Sequence, residues 1–143
     1  MAREFMASDY TDLLFADDDM GWDLGGILNL LTHDVDVVGA ICPKRKDPIE
    51  WAFSPLGNEE NGLLECSYIG TALLRIRRGA FEKLPGRYFD AMYEGDRMIG
   101  EDAWFCREYR KQGGRVWADP NITVTHTGPK DWRGNYSEWI ANK

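Results

Sequence analysis

The chain has 143 residues, 43% of them hydrophobic, with six Trp, six Tyr, six Phe and a net charge of −7. That length fits a single domain, residues 1–143, with enough apolar material for a core. The acidic balance argues against nucleic acid or an anionic membrane surface as a general partner, no apolar run reaches the length of a membrane span, and the mixed, charged N-terminus does not read as a signal peptide.

Residues 2–8 look helical and lead into a short apolar strand, Asp12–Ala16. That strand runs into Asp17-Asp18-Asp19 and then Met20-Gly21-Trp22. Asp23 is placed to N-cap a helix over about Leu24–Thr32, with Ile27, Leu28, Leu30 and Leu31 as its apolar face. Val35–Cys42 is a second apolar, β-branched strand. The order strand, helix, strand predicts a βαβ unit and a mostly parallel sheet flanked by helices. Pro43–Gly62 has no clear period and reads as a long loop. Leu63–Tyr68 and Thr71–Ile76 read as strands broken at Gly70. Arg78–Leu84 reads as a short helix stopped by Pro85-Gly86. Tyr88–Ile99 is irregular and aromatic. Glu101–Gln112 is the clearest late helix, with Trp104, Phe105 and Tyr109 on its inner side and Gly113-Gly114 as its stop. Strands follow at Arg115–Ala118 and Ile122–Thr125, closed by His126. The tail from Gly128 is polar and aromatic, with a last helical turn near Ser137–Ala141.

Three constellations carry chemistry. In the first, three adjacent carboxylates repel one another, and a divalent cation relieves that repulsion. In extended chain Asp17 and Asp19 point to one side, and their hard oxygens suit magnesium or manganese. A solvated acidic turn has the same appearance. The second is Gly100-Glu101-Asp102 at a helix start, where the macrodipole favours carboxylates and a general base can also be held. The third is His126, which with Asp17 and Asp19 makes a mixed oxygen and nitrogen set for manganese. His33, at a predicted helix C-terminus, reads as structural. Cys42, Cys66 and Cys106 are odd in number and far apart, so they fit neither a disulfide framework nor a zinc site. A reducing cytoplasm is the expected compartment.

Taken together, several segments resemble glycosyltransferases of the GT-A fold, most nearly the family-2-like enzymes of phages and bacteria. They are Leu13-Leu14-Phe15-Ala16-Asp17-Asp18-Asp19 as a DxD motif, Val38-Gly39-Ala40-Ile41-Cys42-Pro43-Lys44 and Tyr68-Ile69-Gly70-Thr71-Ala72-Leu73-Leu74. Arg77-Arg78-Gly79-Ala80-Phe81, Gly100-Glu101-Asp102 and Val124-Thr125-His126-Thr127-Gly128 complete the set, in the family's order. The resemblance implies a Rossmann-like α/β fold and a metal-dependent enzyme that moves a sugar from a nucleotide sugar, UDP-sugar foremost, to an acceptor hydroxyl. It assigns Asp17 to the ribose or the metal, Asp19 to the Mn2+ or Mg2+ ion, His126 to the same metal shell, and Asp102, or else Glu101, to the base. Asp18 and Arg3 fall at the nucleotide, and Gly70-Thr71 falls at the donor sugar. Trp22 and Trp51 are candidates to stack on sugar faces.

In GT-A domains, βαβ units that bind the nucleotide precede the DxD strand, and here 16 residues precede the triplet. The expectation is therefore a truncated GT-A domain in which a second copy or a separate subunit replaces the donor half. A homo-oligomer formed through the N-terminal helix and first strand is the simplest case. If the chain is viral, the compartment is the host cytoplasm. The alternative is a non-catalytic sugar- or nucleotide-binding module that retains the fold. A metal-dependent phosphate-ester enzyme is a third reading.

Overall fold

The computed structural model describes residues 1–143. Helix α1 (Ala2–Met6) leads into β1 (Asp12–Ala16), β2 (Met20–Trp22), α2 (Gly26–Thr32) and β3 (Val37–Ala40). A long hairpin follows, β4 (Phe53–Glu60) and β5 (Leu63–Ile69), then β6 (Leu73–Arg77) and α3 (Arg78–Glu82). The second half holds a small hairpin, β7 (Met92–Glu94) and β8 (Arg97–Ile99), then α4 (Glu101–Lys111) and β9 (Val116–Asp119). It ends with β10 (Val124–Thr127), β11 (Asp131–Gly134) and α5 (Tyr136–Ala141). No helix is long and apolar enough to cross a membrane.

The main sheet has the order β1-β6-β3-β9-β5-β4. It is mixed, flanked by helices, and mostly antiparallel: only β3 and β9 pair in parallel. This corrects the expected mostly parallel sheet. β1 and β3 do run in the same direction around α2, but β6 lies between them and pairs antiparallel with both. Continuous apolar runs signal strands covered on both faces. An antiparallel strand covered by helices on both sides gives the same run, which is how β1 and β3 misled the reading.

The strands alternate between two cores, as a period of two requires. Val37, Leu74, Ile76, Val116 and Ala118 face Phe5, Phe81, Phe105 and Tyr109 of α1, α3 and α4. Val38, Leu73 and Trp117 face Leu30 of α2 together with Met20, Ile122 and Val124. Arg75 is on the second face and is 1% exposed. Its guanidinium donates to the Leu30 carbonyl (3.1 Å) and the His33 carbonyl (2.8 Å), which the end of α2 leaves without helical partners, and to Asp12 Oδ1 (3.1 Å).

Other expectations shift in detail. The Pro43–Gly62 stretch is not all loop, because β4 pairs along β5 with register breaks around Pro55. Its polar, exposed, Pro- and Gly-bearing sequence is that of an edge strand. The irregular stretch to Ile99 contains the β7–β8 hairpin, turned at Gly95 (φ 59°). β2 and β11 pair on either side of β10 and had no sequence signal. Asp23 does not cap α2 with its side chain. The N-cap is Gly25, and the Asp23 carboxylate accepts from Arg133 (2.6 Å).

Replacing Arg75 with Met keeps the stem and removes the donors. We expect a loss of about 3 kcal/mol, because two buried carbonyls and a carboxylate lose their partner. Asp12→Asn, at a half-exposed position, should cost about 1 kcal/mol. Urea unfolding with an unchanged m-value checks both.

Candidate functional site

The register aligns Ala16 with Leu73, Gly39 with Leu74, and Ala40 with Asp119. The ends of β1, β3 and β9 therefore leave the sheet at one edge, beside the start of β6. The acidic triplet turns there. The Asp17 N–H donates to the Ala72 carbonyl (3.0 Å), and the Met20 N–H donates back to the Asp17 carbonyl (3.2 Å), closing a four-residue turn. The Asp19 carbonyl accepts from the Thr127 N–H (2.8 Å), which ties the turn to β10. Asp17 and Asp19 thus leave from a turn, not from extended chain, so the turn gathers them and strand alternation does not.

His126 stands on β10 opposite Met20. Its Nδ1 is 2.9 Å from the Pro43 carbonyl. A carbonyl only accepts, so Nδ1 carries a proton. Nε2 lies 3.4 Å from Asp19 Oδ2. Donors at ~2.1 Å from one octahedral ion and at right angles stand about 3 Å apart, close to the observed gap. Asp17 is nearby. Desolvation first, then the charges of Asp19 and Asp18, push its carboxyl above the usual carboxylate range, and His126 opposes them. Asp18 is exposed. The chain does not gather three or more His, Cys, Asp or Glu side chains into a ready shell. The guanidinium of Arg45 instead pairs with Asp19 Oδ2. Asp19 and His126 are thus two ligand-type side chains within reach of each other, with Arg45 as the present partner of Asp19.

A cleft of about 660 Å³ has none of Asp17, Asp18, Asp19 and His126 in its walls. Phe15, Thr71, Glu101, Arg3, Tyr88 and Asp90 are among its walls. It thus joins Arg3, Thr71 and Glu101, three residues singled out from the sequence. Asp102 is the adjacent residue on α4 but has other contacts. Tyr68 donates its hydroxyl to Asp102 Oδ2 (3.0 Å), and the Ala103 N–H reaches Oδ1 (2.7 Å). Burial first, then the charge of Asp102, pushes the Tyr68 hydroxyl far up, so it remains a donor.

No family model and no curated protein matches the sequence. Among solved structures, the chain is similar to the crystal structure of A197 from STIV, with a TM-score of 0.62 and 22% identity over 88% of this chain. The chain spans 63% of the length of that protein. At that identity the likeness concerns the fold alone.

Trp51 is not available to stack on a sugar. It is 9% exposed and packs edge-on against Tyr136 and Trp139, with Gly134 leaving room for its ring. Its aromatic neighbours in the tail form a satellite core that the sequence did not reveal. Trp22 keeps an indole 36% exposed at the end of β2. Gly70 is buried, and its N–H donates to the Ala52 carbonyl. His33 Nε2 pairs with Asp119 Oδ2 (2.9 Å) away from the acidic turn, a structural contact. The sequence reading missed Arg45 and Tyr68. The Lys44-Arg45-Lys46 run was the available sign, since three cations after β3 need anions to face.

Asp17 carries a raised carboxyl, so its ionised form disfavours the fold at neutral pH. Asp17→Asn should raise the thermal midpoint at pH 7 in chelator by about 1–2 °C, the scale of a surface charge change. The gain should shrink as the pH falls through the raised value and vanish below the ordinary 3.8, where the acid is protonated both folded and unfolded. Differential scanning calorimetry from pH 3 to pH 7 reads this.

Proposed function

We propose that the protein is a metal-dependent glycosyltransferase of GT-A type. It moves a sugar from a nucleotide-sugar donor, a UDP-sugar first among candidates, to an acceptor hydroxyl. The observation that carries this reading is the pair made by Asp19 Oδ2 and His126 Nε2, 3.4 Å apart at the exit of β1; a separate cleft holds Glu101, Thr71 and Arg3. Asp19 and His126 would hold Mn2+ or Mg2+, with Asp17 beside them. When bound, such an ion supplies charge stabilisation for a leaving diphosphate. Arg3, Asp18 and Thr71 would line the donor's path, and Trp22 offers an exposed ring. Asp102 takes the proton of the acceptor hydroxyl. Tyr68 holds that carboxylate in one orientation, and Glu101, open to the cleft, is its rival for the role.

The second reading is a sugar- or nucleotide-binding module without catalysis. It is favoured by Arg45, which already neutralises Asp19. Incubation with a panel of nucleotide sugars, with and without Mn2+, separates the two. Release of nucleotide that depends on Mn2+ supports the enzyme, and release from no donor supports the module. Asp19→Ala should abolish Mn2+ binding in calorimetric titration, and His126→Ala should weaken it about tenfold or more, as expected for one ligand of several. Unchanged affinity in Asp19→Ala sinks the metal assignment. Asp102→Asn should keep Mn2+ and donor binding while transfer to the acceptor falls by about 10²–10⁴. Transfer at an undiminished rate would move the role to Glu101.

β1 pairs only with β6 and has its outer edge free. A free edge beside partly exposed apolar residues favours pairing with a second copy or another subunit. We expect light scattering to show a dimer at micromolar concentration. A monomer would mean that α1 shields that edge sufficiently.

A further inference from the structure

Helix α2 is apolar on two sides. Leu30 is fully buried against the sheet, and Ile27 packs beside it. The other side of the helix carries Leu28 and Leu31, three residues apart and so on one face, 65% and 48% exposed. Leu24, in the turn before the helix, is fully exposed. The Trp22 ring lies against the start of α2, where an added Cβ on Gly26 would come within 3.5 Å of the indole Cδ1. A helix that is apolar all round belongs in an interior, yet the outer side of α2 is open to water. These four side chains expose a few hundred Å² of apolar surface, the scale at which a patch on a single chain marks an interaction site. With Asn29, Thr32 and the charged groups at either end as its rim, the face is on the order of 800 Å², what each partner gives up in a standard interface.

The rim selects the partner. At the N-terminal end of α2 stands an exposed ion pair, Asp23 with Arg133 (2.6 Å). At the C-terminal end stands another, Asp34 with Arg77 (2.8 Å). Each end therefore offers one anion and one cation. A basic partner would set its charges against Arg77 and Arg133, and an acidic one against Asp23 and Asp34, so either leaves like charges opposed. A second copy laid antiparallel across α2 brings its Asp34–Arg77 end against the Asp23–Arg133 end of the first, and every charge meets an opposite one. The same two-fold sets Leu24 opposite Leu31 and brings Leu28 close to its own counterpart, the self-complementary pattern of an isologous contact. We propose that the outer side of α2 is a self-association surface on which two copies pair antiparallel about a two-fold axis near Leu28.

The test uses the intact chain without metal or nucleotide sugar, so its outcome is independent of the glycosyltransferase reading. Sedimentation and light scattering should show a dimer at micromolar concentration. Leu28→Glu and Leu28→Arg should each weaken it about thirtyfold or more, because the substituted residue stands near its own copy across the axis and like charges oppose at the centre of the contact. An equimolar mixture of the two variants should recover the dimer, since it joins opposite charges. Leu28 is exposed, so matching circular dichroism spectra are expected. Leu24→Ser combined with Leu31→Ser, at two exposed positions, serves if a charge in the middle of α2 disturbs the helix, and should weaken the dimer about tenfold or more. An unaltered chain that stays monomeric overturns the proposal and leaves the face to a different protein. A dimer that survives both Leu28 variants overturns it too, and moves the self-contact to the free edge of β1. Variants that dissociate but do not recover on mixing overturn the antiparallel pairing about Leu28.

Discussion

Strand β6 is the constraint on which the rest depends. It runs antiparallel between β1 and β3, and its side chains serve both cores. Leu74 and Ile76 face α3 and α4, and Leu73 faces α2. Arg75 shares that second face, where an apolar residue would be ordinary. A fully buried guanidinium needs partners on every side, and it finds them in the last carbonyls of α2 and in Asp12 at the start of β1. One side chain thus fixes where α2 ends relative to the two strands flanking β6. Without that strand, β1 and β3 would have no ladder between them, and the turn after β1 would have no Ala72 carbonyl to anchor it.

The site follows from this arrangement. Because β1 and β3 leave the sheet at the same edge, the anions after one strand meet the cations after the other. Asp19 gains Arg45, and Pro43 lends its carbonyl to His126. His126 reaches the turn by a different route, the three-stranded sheet β11-β10-β2. Its β10 strand is held to the turn by the Thr127 to Asp19 hydrogen bond. The acidic turn is therefore clamped by two separate sheets. A turn free to move would relax its like charges apart, and the two clamps prevent that.

Local periodicity made much of this legible. The helix from Glu101, the strands at β1, β3, β5, β6, β9 and β10, and the short helix after Arg77 stand close to where their patterns put them. Strand direction was not legible, because burial on both faces erases the difference between parallel and antiparallel neighbours. β4 escaped because an exposed edge strand carries no apolar alternation, and Trp51 was misplaced because its ring partners Tyr136 and Trp139 lie 85 and more residues further along. Of the candidate residues, Asp19 and His126 come together across more than 100 positions, and Arg3, Thr71 and Glu101 meet in one cleft. Sequence spacing alone does not encode such meetings; they come from register. Arg45 had no motif, and only the ladder between β3 and β6 brings it to Asp19.

Glu101 and Asp102 illustrate how neighbours on one helix start can be given different tasks. Both benefit from the N-terminal dipole of α4, so position alone does not distinguish them. Their surroundings do. Glu101 is exposed on the cleft wall, where it can meet a mobile hydroxyl but is held by nothing. Asp102 is half-buried, with one oxygen on its neighbour's N–H and the other on the Tyr68 hydroxyl. A base needs a fixed lone pair more than a wide approach, because proton transfer tolerates little misplacement. The Tyr68 hydroxyl, pushed up by burial and by the charge of Asp102, stays a donor to that carboxylate. Tyr68 and the Ala103 N–H thus fix the Asp102 carboxylate, while Glu101 lines a cleft whose walls do not include Asp102. The difference in their surroundings, more than the order of the two letters in the sequence, sets Asp102 apart from Glu101.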